Sequence, residues 1–366
     1  MERRSPFCWI QEQLLHLSGR TPGTCPLSFI QEAVKAFDTA LYDAVTEIVG
    51  APLSNWAWRK ATLPVSLGGL GFRMVASHAS AAFFASVTQS ASLVTAILGR
   101  SPSPSPSANL ALSTLASMAN RPEWISADDI DIPIRQHCLS RAIDQANFDS
   151  LLEEALDSRS KALALSSSIH HAGDWLQVVP STSLGLHLAD WEFRLCMRYW
   201  LGLQIVEEDT LCAVCGCTSD VMGDHYVTCR GNGDLIRKHD ALRDVLYTAA
   251  CSAALAPKKE MPALIPGSLS RPADIYLPCW SRGKPAALDV SVISPVQALT
   301  VEEAAVTQGY SLAVREQQKR RCHDNACHEA GIHFIPLAVE TFGGWSSEAA
   351  ATIRQFGKLQ AYRLGL

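Results

Sequence analysis

Three cysteines and a histidine lie close together in the segment CAVCGCTSDVMGDHYVTC. Two residues separate Cys212 from Cys215, nine more precede His225, and three more precede Cys229. Thiolates at this spacing can face one tetrahedral Zn²⁺, and a short loop can return a histidine and a third cysteine from the other side. The spacing therefore predicts a zinc knuckle over 210–230. Because the protein fills all four positions, we expect the Zn²⁺ to be structural.

Cys217 lies inside the same segment and is an alternative ligand. The other interpretation is a set of ordinary core or surface cysteines. The chain has twelve cysteines in all, and its start, MERRSPFCWIQEQLLHLSG, is too interrupted by polar residues to resemble a secretory signal. We therefore expect reduced thiols and metal ligands instead of a disulfide framework.

Two aspartates lie in apolar, strand-like runs of the segment SRPADIYLPCWSRGKPAALDVSVISP. Asp274 precedes an Ile-Tyr-Leu run, and Asp289 lies between Leu288 and Val290. A carboxylate in a buried strand is unfavourable unless a metal, a positive charge or hydrogen bonds compensate it. The less specific alternatives are a strand start or turn for Asp274 and a buried arginine partner for Asp289.

The pattern Pro-x-Asp, fourteen residues, Asp-Val-Ser resembles the core of the PD-(D/E)XK nuclease superfamily. This resemblance implies that Asp274 and Asp289 lie on adjacent strands and hold Mg²⁺ or Mn²⁺, which activates water for phosphodiester cleavage. The family usually places a lysine where this chain has Ser291. We expect Lys319, from the basic helix that follows, to supply that charge, and Glu260 to be a third carboxylate.

The assembled order resembles the C-terminal region of site-specific non-LTR retrotransposon polyproteins that carry a restriction-like endonuclease. In that family a polymerase and thumb precede a linker, a CCHC knuckle and the endonuclease. The resemblance implies DNA, and also element RNA, as partners. The residues expected to contact nucleic acid are Arg237, Lys238, His239, Arg271 and Arg320. A basic run such as Lys-Arg-Arg at 319–321 is more commonly just a solvated helix face.

The resemblance extends to WRKATLPVSLGGLGFRMVASHASAAFFAS, which is similar to the thumb segment. A reverse transcriptase also needs a palm with a Tyr/Phe-x-Asp-Asp hairpin. The one Asp-Asp pair, Asp128 and Asp129, follows the thumb-like segment and lacks the aromatic residue. We expect that pair to start a helix or lie in a loop, and we expect no polymerase activity from this chain.

The expected fold is multi-domain, with a helical N-terminal half, a small knuckle and an α/β restriction-endonuclease-like domain with a small mixed sheet. The expected segments are a helical, thumb-like region (1–100), a Ser/Pro linker (101–108), a helical region (109–205), the knuckle (210–230), the endonuclease (234–345) and a C-terminal helix or tail (346–366).

Charge is unevenly distributed along the 366 residues. Residues 1–229 have 15 Lys+Arg against 23 Asp+Glu, a balance of −8, and residues 230–366 have 16 against 13, a balance of +3. The C-terminal part is therefore the better candidate to face a polyanion. No apolar run is long enough by eye to span a bilayer, so we expect no membrane segment and a nuclear, otherwise cytoplasmic, location.

Two hypotheses follow from these patterns. The first is a retrotransposon-derived, metal-dependent DNA endonuclease with a structural zinc knuckle. The second is a catalytically inactive remnant of such an element that acts as a nucleic-acid-binding or scaffolding protein.

Overall fold

The computed structural model describes residues 25–101, 103, 105–231, 233–267, 271–281 and 283–365. The expectations about residues 1–24, namely the absence of a secretory signal and the start of the thumb-like region, lie outside these residues. The described chain mixes helices with small sheets and divides into two compact units. One contains Met1–Leu156 with Asp174–Leu203, and the other contains Asp157–Gly173 with Gln204–Leu366.

The helices and strands follow one another in the order α1 (Leu27–Val49), α2 (Asn55–Ala61), α3 (Val75–Leu98), α4 (Pro106–Met118), α5 (Gln136–Glu154), α6 (Ser158–Ser167), α7 (Asp190–Leu201), β1 (Thr210–Leu211), β2 (Thr218–Ser219), α8 (Asp224–Thr228), α9 (Asp234–Ser252), β3 (Lys258–Lys259), β4 (Ile275–Ser281), β5 (Lys284–Ile293), α10 (Val301–Ala304), α11 (Tyr310–Glu329), β6 (His333–Glu340) and α12 (Ser347–Leu364).

The first unit is helical, and its core forms where α3, α4 and α5 pack together. Phe84, Leu115, Leu139 and Ile143 are buried there beside Trp124. These side chains recur at helical spacing, so one face of each helix is apolar and turns inward. The Asp-Asp pair of this unit lies in a 3₁₀ turn, Ala127–Asp129.

A glycine-rich turn follows α2 in the first unit. Lys60 is fully buried, and its Nζ donates to the Gly68 carbonyl at 2.6 Å. A Cβ at Gly69 would lie 2.0 Å from the Leu63 carbonyl oxygen. This turn therefore needs glycine at position 69, because its backbone passes directly over the end of α2.

The Ser/Pro segment is shorter than the sequence predicts. We expected a linker through residue 108, but α4 begins at Pro106, with Ser105 as its N-cap. Proline fits the first turn of a helix because its missing N–H has no intrahelical partner there, and its fixed φ suits the helix. The expected linker boundary at residue 108 was therefore wrong.

Helix α3 (Val75–Leu98) is long and apolar enough, by length and composition, to cross a membrane. An 18-residue window in it has a mean hydropathy of 1.5, and 28% of that window is buried. The sequence expectation missed it because serines, threonines and a glutamine interrupt the apolar run. One such helix is weak support for a membrane span, since core helices pass the same test.

The second unit is built on a four-stranded sheet in the order β3-β4-β5-β6. Strands β3, β4 and β5 pair in antiparallel fashion, and β5 and β6 are parallel. Leu288 and Val290 of β5 belong to a core that includes α9 and α12. The alternate residue Ala287 packs with Cys327 of α11. The sheet is thus covered by helices on both faces, which explains the nearly continuous apolar runs of β5 and β6.

Three helices, α10, α11 and α12, lie in the part of the chain that follows β5. The basic helix expected after the second strand is α11, and a separate short helix, α10, precedes it because the chain turns at Gly309, whose φ is 74°. The C-terminal segment is a helix, α12, and its buried Phe356 belongs to the core of the sheet.

Segment Asp157–Gly173 belongs to the second unit, although the sequence placed it in one helical region, 109–205. Ser158 Oγ donates to Glu302 at 2.6 Å, and Ser166 Oγ donates to the Glu340 carboxylate. Contacts this distant in sequence leave no local pattern. The sequence therefore could not predict that the second unit includes this segment.

Candidate metal centre and Cys/His cluster

The two aspartates lie side by side at the start of β4 and in the middle of β5. The strands pair Ile275 with Leu288, so Asp274 begins its strand next to Asp289. Asp289 and Ser291 alternate with Leu288 and follow Ala287, so they lie on the sheet face that α11 covers. The carboxyl groups of Asp274 and Asp289 are close enough to share a hydrogen bond when one is protonated.

Asp274 is held by two hydrogen bonds to its Oδ2 atom. The Val290 backbone N–H donates to it at 2.7 Å, and His239 Nε2 lies 3.1 Å away. Nδ1 of the same imidazole lies 3.2 Å from Asp240 Oδ1. The bond to Asp274 raises the pKa of His239 to about 9, against the opposing effect of burial. Burial disfavours the Asp274 anion, but His239 and Val290 outweigh it and lower the pKa of Asp274.

Asp289 is more deeply buried and only partly paired. Lys319 Nζ, from α11, donates to Asp289 Oδ1 at 2.9 Å. The other oxygen, Oδ2, is buried and has no hydrogen-bond partner among the described residues. Burial raises the pKa of Asp289 to about 6, and the neighbouring Asp274 adds to the increase, whereas Lys319 lowers it.

The chemistry of this pair of carboxyls can be compared with what a divalent cation needs. Two acids with opposite pKa shifts at one place repel each other as anions, and a cation between them relieves that repulsion. Carboxylate oxygens are the ligands that Mg²⁺ and Mn²⁺ prefer. The unpartnered Asp289 Oδ2 is an oxygen available to such an ion. The residues present therefore fit a divalent metal.

Glu260, expected as the third carboxylate, is engaged elsewhere. Its backbone N–H donates to the Asp274 carbonyl at 3.0 Å, so the residue lies near the pair. Its carboxylate, however, forms an ion pair with Arg243, and Arg271 lies 4.0 Å away. The structure thus brings Asp274, Asp289 and Lys319 together. The Glu260 carboxylate instead lies beside two arginines, Arg243 and Arg271.

The basic residues expected to contact nucleic acid all have partners within the chain. Arg237 pairs with Asp234, and Arg320 pairs with Glu348. Lys238 donates to the Val227 carbonyl at 2.6 Å, and burial lowers its pKa.

Among the five basic residues, Arg237 and Arg271 are the most exposed in their side chains, at 72% and 66%. His239 faces Asp274, as described above, so it acts on the carboxyl pair although its side chain is 31% exposed. Two further residues of α9, Asp240 and Arg243, lie beside the site and were not among the predicted site residues. Helical spacing could have indicated Arg243, because it follows His239 by four residues and so lies on the same face of α9.

The predicted cysteines and histidine converge at one place. The ligand atoms of Cys212, Cys215, His225 and Cys229 lie within 4.8 Å of one another, and the set can bind a metal such as zinc. Cys212 Sγ is 3.9 Å from Cys229 Sγ, and Cys215 Sγ is 3.3 Å from His225 Nε2. Cys217 is not a member of this set. The prediction of a Cys₃His cluster is confirmed.

Local backbone geometry builds the cluster. Strands β1 and β2 form a hairpin in which the Cys212 N–H donates to the Cys217 carbonyl at 2.8 Å, and Gly216 turns with φ 71°. Asp220 accepts from the backbone N–H of Asp224 and His225 at the start of α8. The backbone N–H groups of Cys215 and Val214, with His225, lower the pKa of Cys212 to about 6, which favours the thiolate that binds metal.

The cluster is also tied to α6 of the same unit. Arg159 donates to both carboxylate oxygens of Asp224, at 2.5 and 2.8 Å. Asp224 immediately precedes the ligand His225, so this bidentate pair fixes the short helix that carries the histidine. No local signal links the two residues, which are 65 positions apart.

Comparison with known proteins adds no family to this description. The chain matches no protein-family model and none of the curated proteins.

Proposed function

We propose that the second unit is a restriction-like endonuclease of the PD-(D/E)XK type, derived from a non-LTR retrotransposon, which nicks DNA in the presence of Mg²⁺ or Mn²⁺. One observation carries the proposal. Asp274 and Asp289 lie side by side on neighbouring strands, and Lys319 Nζ is 2.9 Å from Asp289 Oδ1. In metal-dependent phosphodiester hydrolysis, two carboxyls can hold the metal and an ammonium can stabilise the negative charge that develops on the phosphate.

Asp274 and Asp289 would hold the divalent cation. When bound, that ion lowers the pKa of water and stabilises negative charge on the phosphate. His239 orients the Asp274 carboxylate through its 3.1 Å contact, as a positioning residue. Lys319 brings a positive charge to the place where charge develops in the transition state. It thereby supplies from α11 the charge that Ser291 cannot supply from β5.

The exposed basic residues would contact the DNA substrate. Arg237 and Arg271 are the most exposed of the five predicted contacts, so they can exchange carboxylate partners for DNA phosphates. Such exchange makes binding weak and sensitive to salt, in keeping with the net charge of −5. A DNA substrate implies action in the nucleus.

The remaining parts of the chain have supporting roles in this proposal. The Cys₃His cluster holds a structural Zn²⁺, since four protein ligands leave no position for substrate. Element RNA is a second candidate ligand of that region. The first unit is a thumb-like helical segment with no polymerase activity, because the sequence lacks a palm carboxylate set.

The test is nicking of supercoiled plasmid by the purified chain in Mg²⁺ or Mn²⁺. We expect relaxed circles with the wild type and none with Asp289→Asn, which keeps the side-chain shape but removes the charge. Lys319→Gln should reduce the nicking rate by about 10²-fold or more. Lys358→Gln, which removes an exposed lysine of α12, is the matched control and should nick like the wild type.

One feature of the site favours the inactive alternative. His239 and Lys319 already neutralise the two aspartates within the chain, so the carboxyls are partly compensated without metal. A chain that binds DNA but does not nick it in either metal would favour a binding or scaffolding remnant. Equal nicking by the wild type and Asp289→Asn would refute this active site.

A further inference from the structure

Several buried polar atoms between β5 and α11 have no hydrogen-bond partner among the described residues. They include Asp289 Oδ2, Ser291 Oγ and Glu316 Oε1, and Arg315 Nε of α11 is buried without a partner as well. Asp289 is 6% exposed and Ser291 is 7% exposed. Buried oxygens are rarely left without a donor or a cation, because their desolvation is costly. Three of them along one interface indicate a ligand.

The packing of α11 places Glu316 on the side of the helix that faces β5. Leu312 belongs to the same buried cluster as Ile293 of β5, and Lys319 contacts Asp289. Glu316 follows Leu312 by four residues and precedes Lys319 by three, so the three side chains share one helix face.

The direction of the strand then locates Glu316 more closely. Along β5, Ser291 lies between Asp289 and Ile293, as Glu316 lies between Lys319 and Leu312 on α11. Side chains of a helix tilt toward its N-terminus, so the Lys319 stem extends over the turn that contains Glu316. This order places Glu316 on the α11 face that packs against β5, at the level of Ser291 and within one helical turn of Lys319, which contacts Asp289.

We propose that Glu316 is the third carboxylate ligand of the divalent-cation site, together with Asp274 and Asp289. This inference rests on the proposed endonuclease function and assigns to α11 the role that the sequence analysis gave to Glu260. Glu260 is the poorer candidate because its carboxylate is paired with Arg243. Glu316 brings an oxygen that is buried and unpartnered, as an ion with oxygen ligands requires.

The proposal also gives the helix two linked tasks. Glu316 would bind the cation and Lys319 would contact Asp289 from the next turn, so one rigid element sets the distance between metal and ammonium. Ser291 would offer a hydroxyl to this site that can accept a hydrogen bond without bringing a charge of its own. The substrate class is unchanged, since a hard cation beside an ammonium suits a phosphodiester.

Mn²⁺ binding to the full-length, zinc-loaded protein tests the proposal without relying on cleavage. Free Mn²⁺ is measured by electron paramagnetic resonance during titration, while thiolates of the Cys₃His cluster keep Zn²⁺. We expect both Glu316→Gln and Asp289→Asn to weaken Mn²⁺ binding by about tenfold or more. Glu260→Gln and the exposed control Glu303→Gln should bind Mn²⁺ like the wild type.

Zinc content and circular dichroism identify a variant that has failed to fold. In that case Glu316→Asp, which keeps the charge on a shorter side chain, should bind Mn²⁺ more tightly than Glu316→Gln. Wild-type affinity in Glu316→Gln, an equal loss in Glu260→Gln, or no Mn²⁺ binding by the wild type would each overturn the inference. A wild type that binds Mn²⁺ through Glu316 yet leaves plasmid intact would overturn the endonuclease function alone.

Discussion

Glu340 of β6 is a buried acid whose removal should make stability less dependent on pH. The residue is 3% exposed, and Ser166 Oγ donates to its carboxylate. Burial raises the pKa of Glu340 to about 7 from 4.5, and the bond from Ser166 opposes the increase only in part. The folded chain therefore holds a proton that the unfolded chain releases above pH 4.5.

The sign and size of the effect follow from linkage. Between pH 4.5 and 7 the folded state binds more protons than the unfolded state, so stability falls as pH rises through this window. A pKa difference from 4.5 to about 7 corresponds to about 3 kcal/mol at pH 8, and to less than about 1 kcal/mol at pH 5. Glu340→Gln, which keeps an acceptor for Ser166 but has no charge, should remove this penalty.

The assay compares the thermal unfolding of wild type and Glu340→Gln at pH 5 and pH 8 by calorimetry. One kcal/mol shifts Tm by roughly 2–4 °C in a domain of 150–250 residues, so the variant should gain roughly 6–12 °C at pH 8 and little at pH 5. Glu303→Gln, an exposed change on α10, should gain nothing at either pH. A Tm difference between Glu340→Gln and wild type that is equal at both pH values would refute the reasoning.

Two further predictions concern the Cys₃His cluster and the glycine-rich turn. The protein should contain one Zn²⁺ per chain by metal analysis, and Cys212→Ser with Cys215→Ser should release it and increase hydrogen exchange in 210–230, whereas Cys217→Ser should retain it; retention by the double variant would contradict the ligand set. Gly69→Ala should destabilise the first unit by more than about 3 kcal/mol, because its Cβ would lie 2.0 Å from a carbonyl oxygen. Gly357→Ala is the control, since a Cβ there meets nothing within 4 Å inside α12, and it should be neutral or stabilise by up to about 1 kcal/mol in chemical denaturation; a mild effect at Gly69 would mean that the turn can relax.

Local pattern was enough to predict the Cys₃His cluster and the mixture of helices with a small mixed sheet. Ligands within eighteen residues need only a hairpin and a short turn to meet, so spacing alone predicts their convergence. The strand pattern around Asp289 likewise follows from its own sequence, because an apolar run bounded by turn residues reads as a buried strand. The nuclease interpretation of that strand stays a prediction.

Contacts between distant segments were decided by tertiary structure. Arg159 meets Asp224 across 65 positions, and Ser166 meets Glu340 across 174. Neither pair has a local signature, so the packing of segment Asp157–Gly173 in the second unit could not be read from its helical pattern.

The candidate metal centre combines both kinds of information. The sequence by itself determined which acids lie in apolar strands and that Glu316 and Lys319 share a helix face, because these follow from periods of two and 3.6 residues. Only the tertiary structure decided that Glu260 would be neutralised by Arg243 and that Lys319 would reach Asp289. It also decided that Glu316 Oε1 would have no hydrogen-bond partner in the described part of the chain. The reason is that charge pairing depends on which helix covers which face of the sheet. The burial of the whole apolar core determines how the helices pack on the sheet.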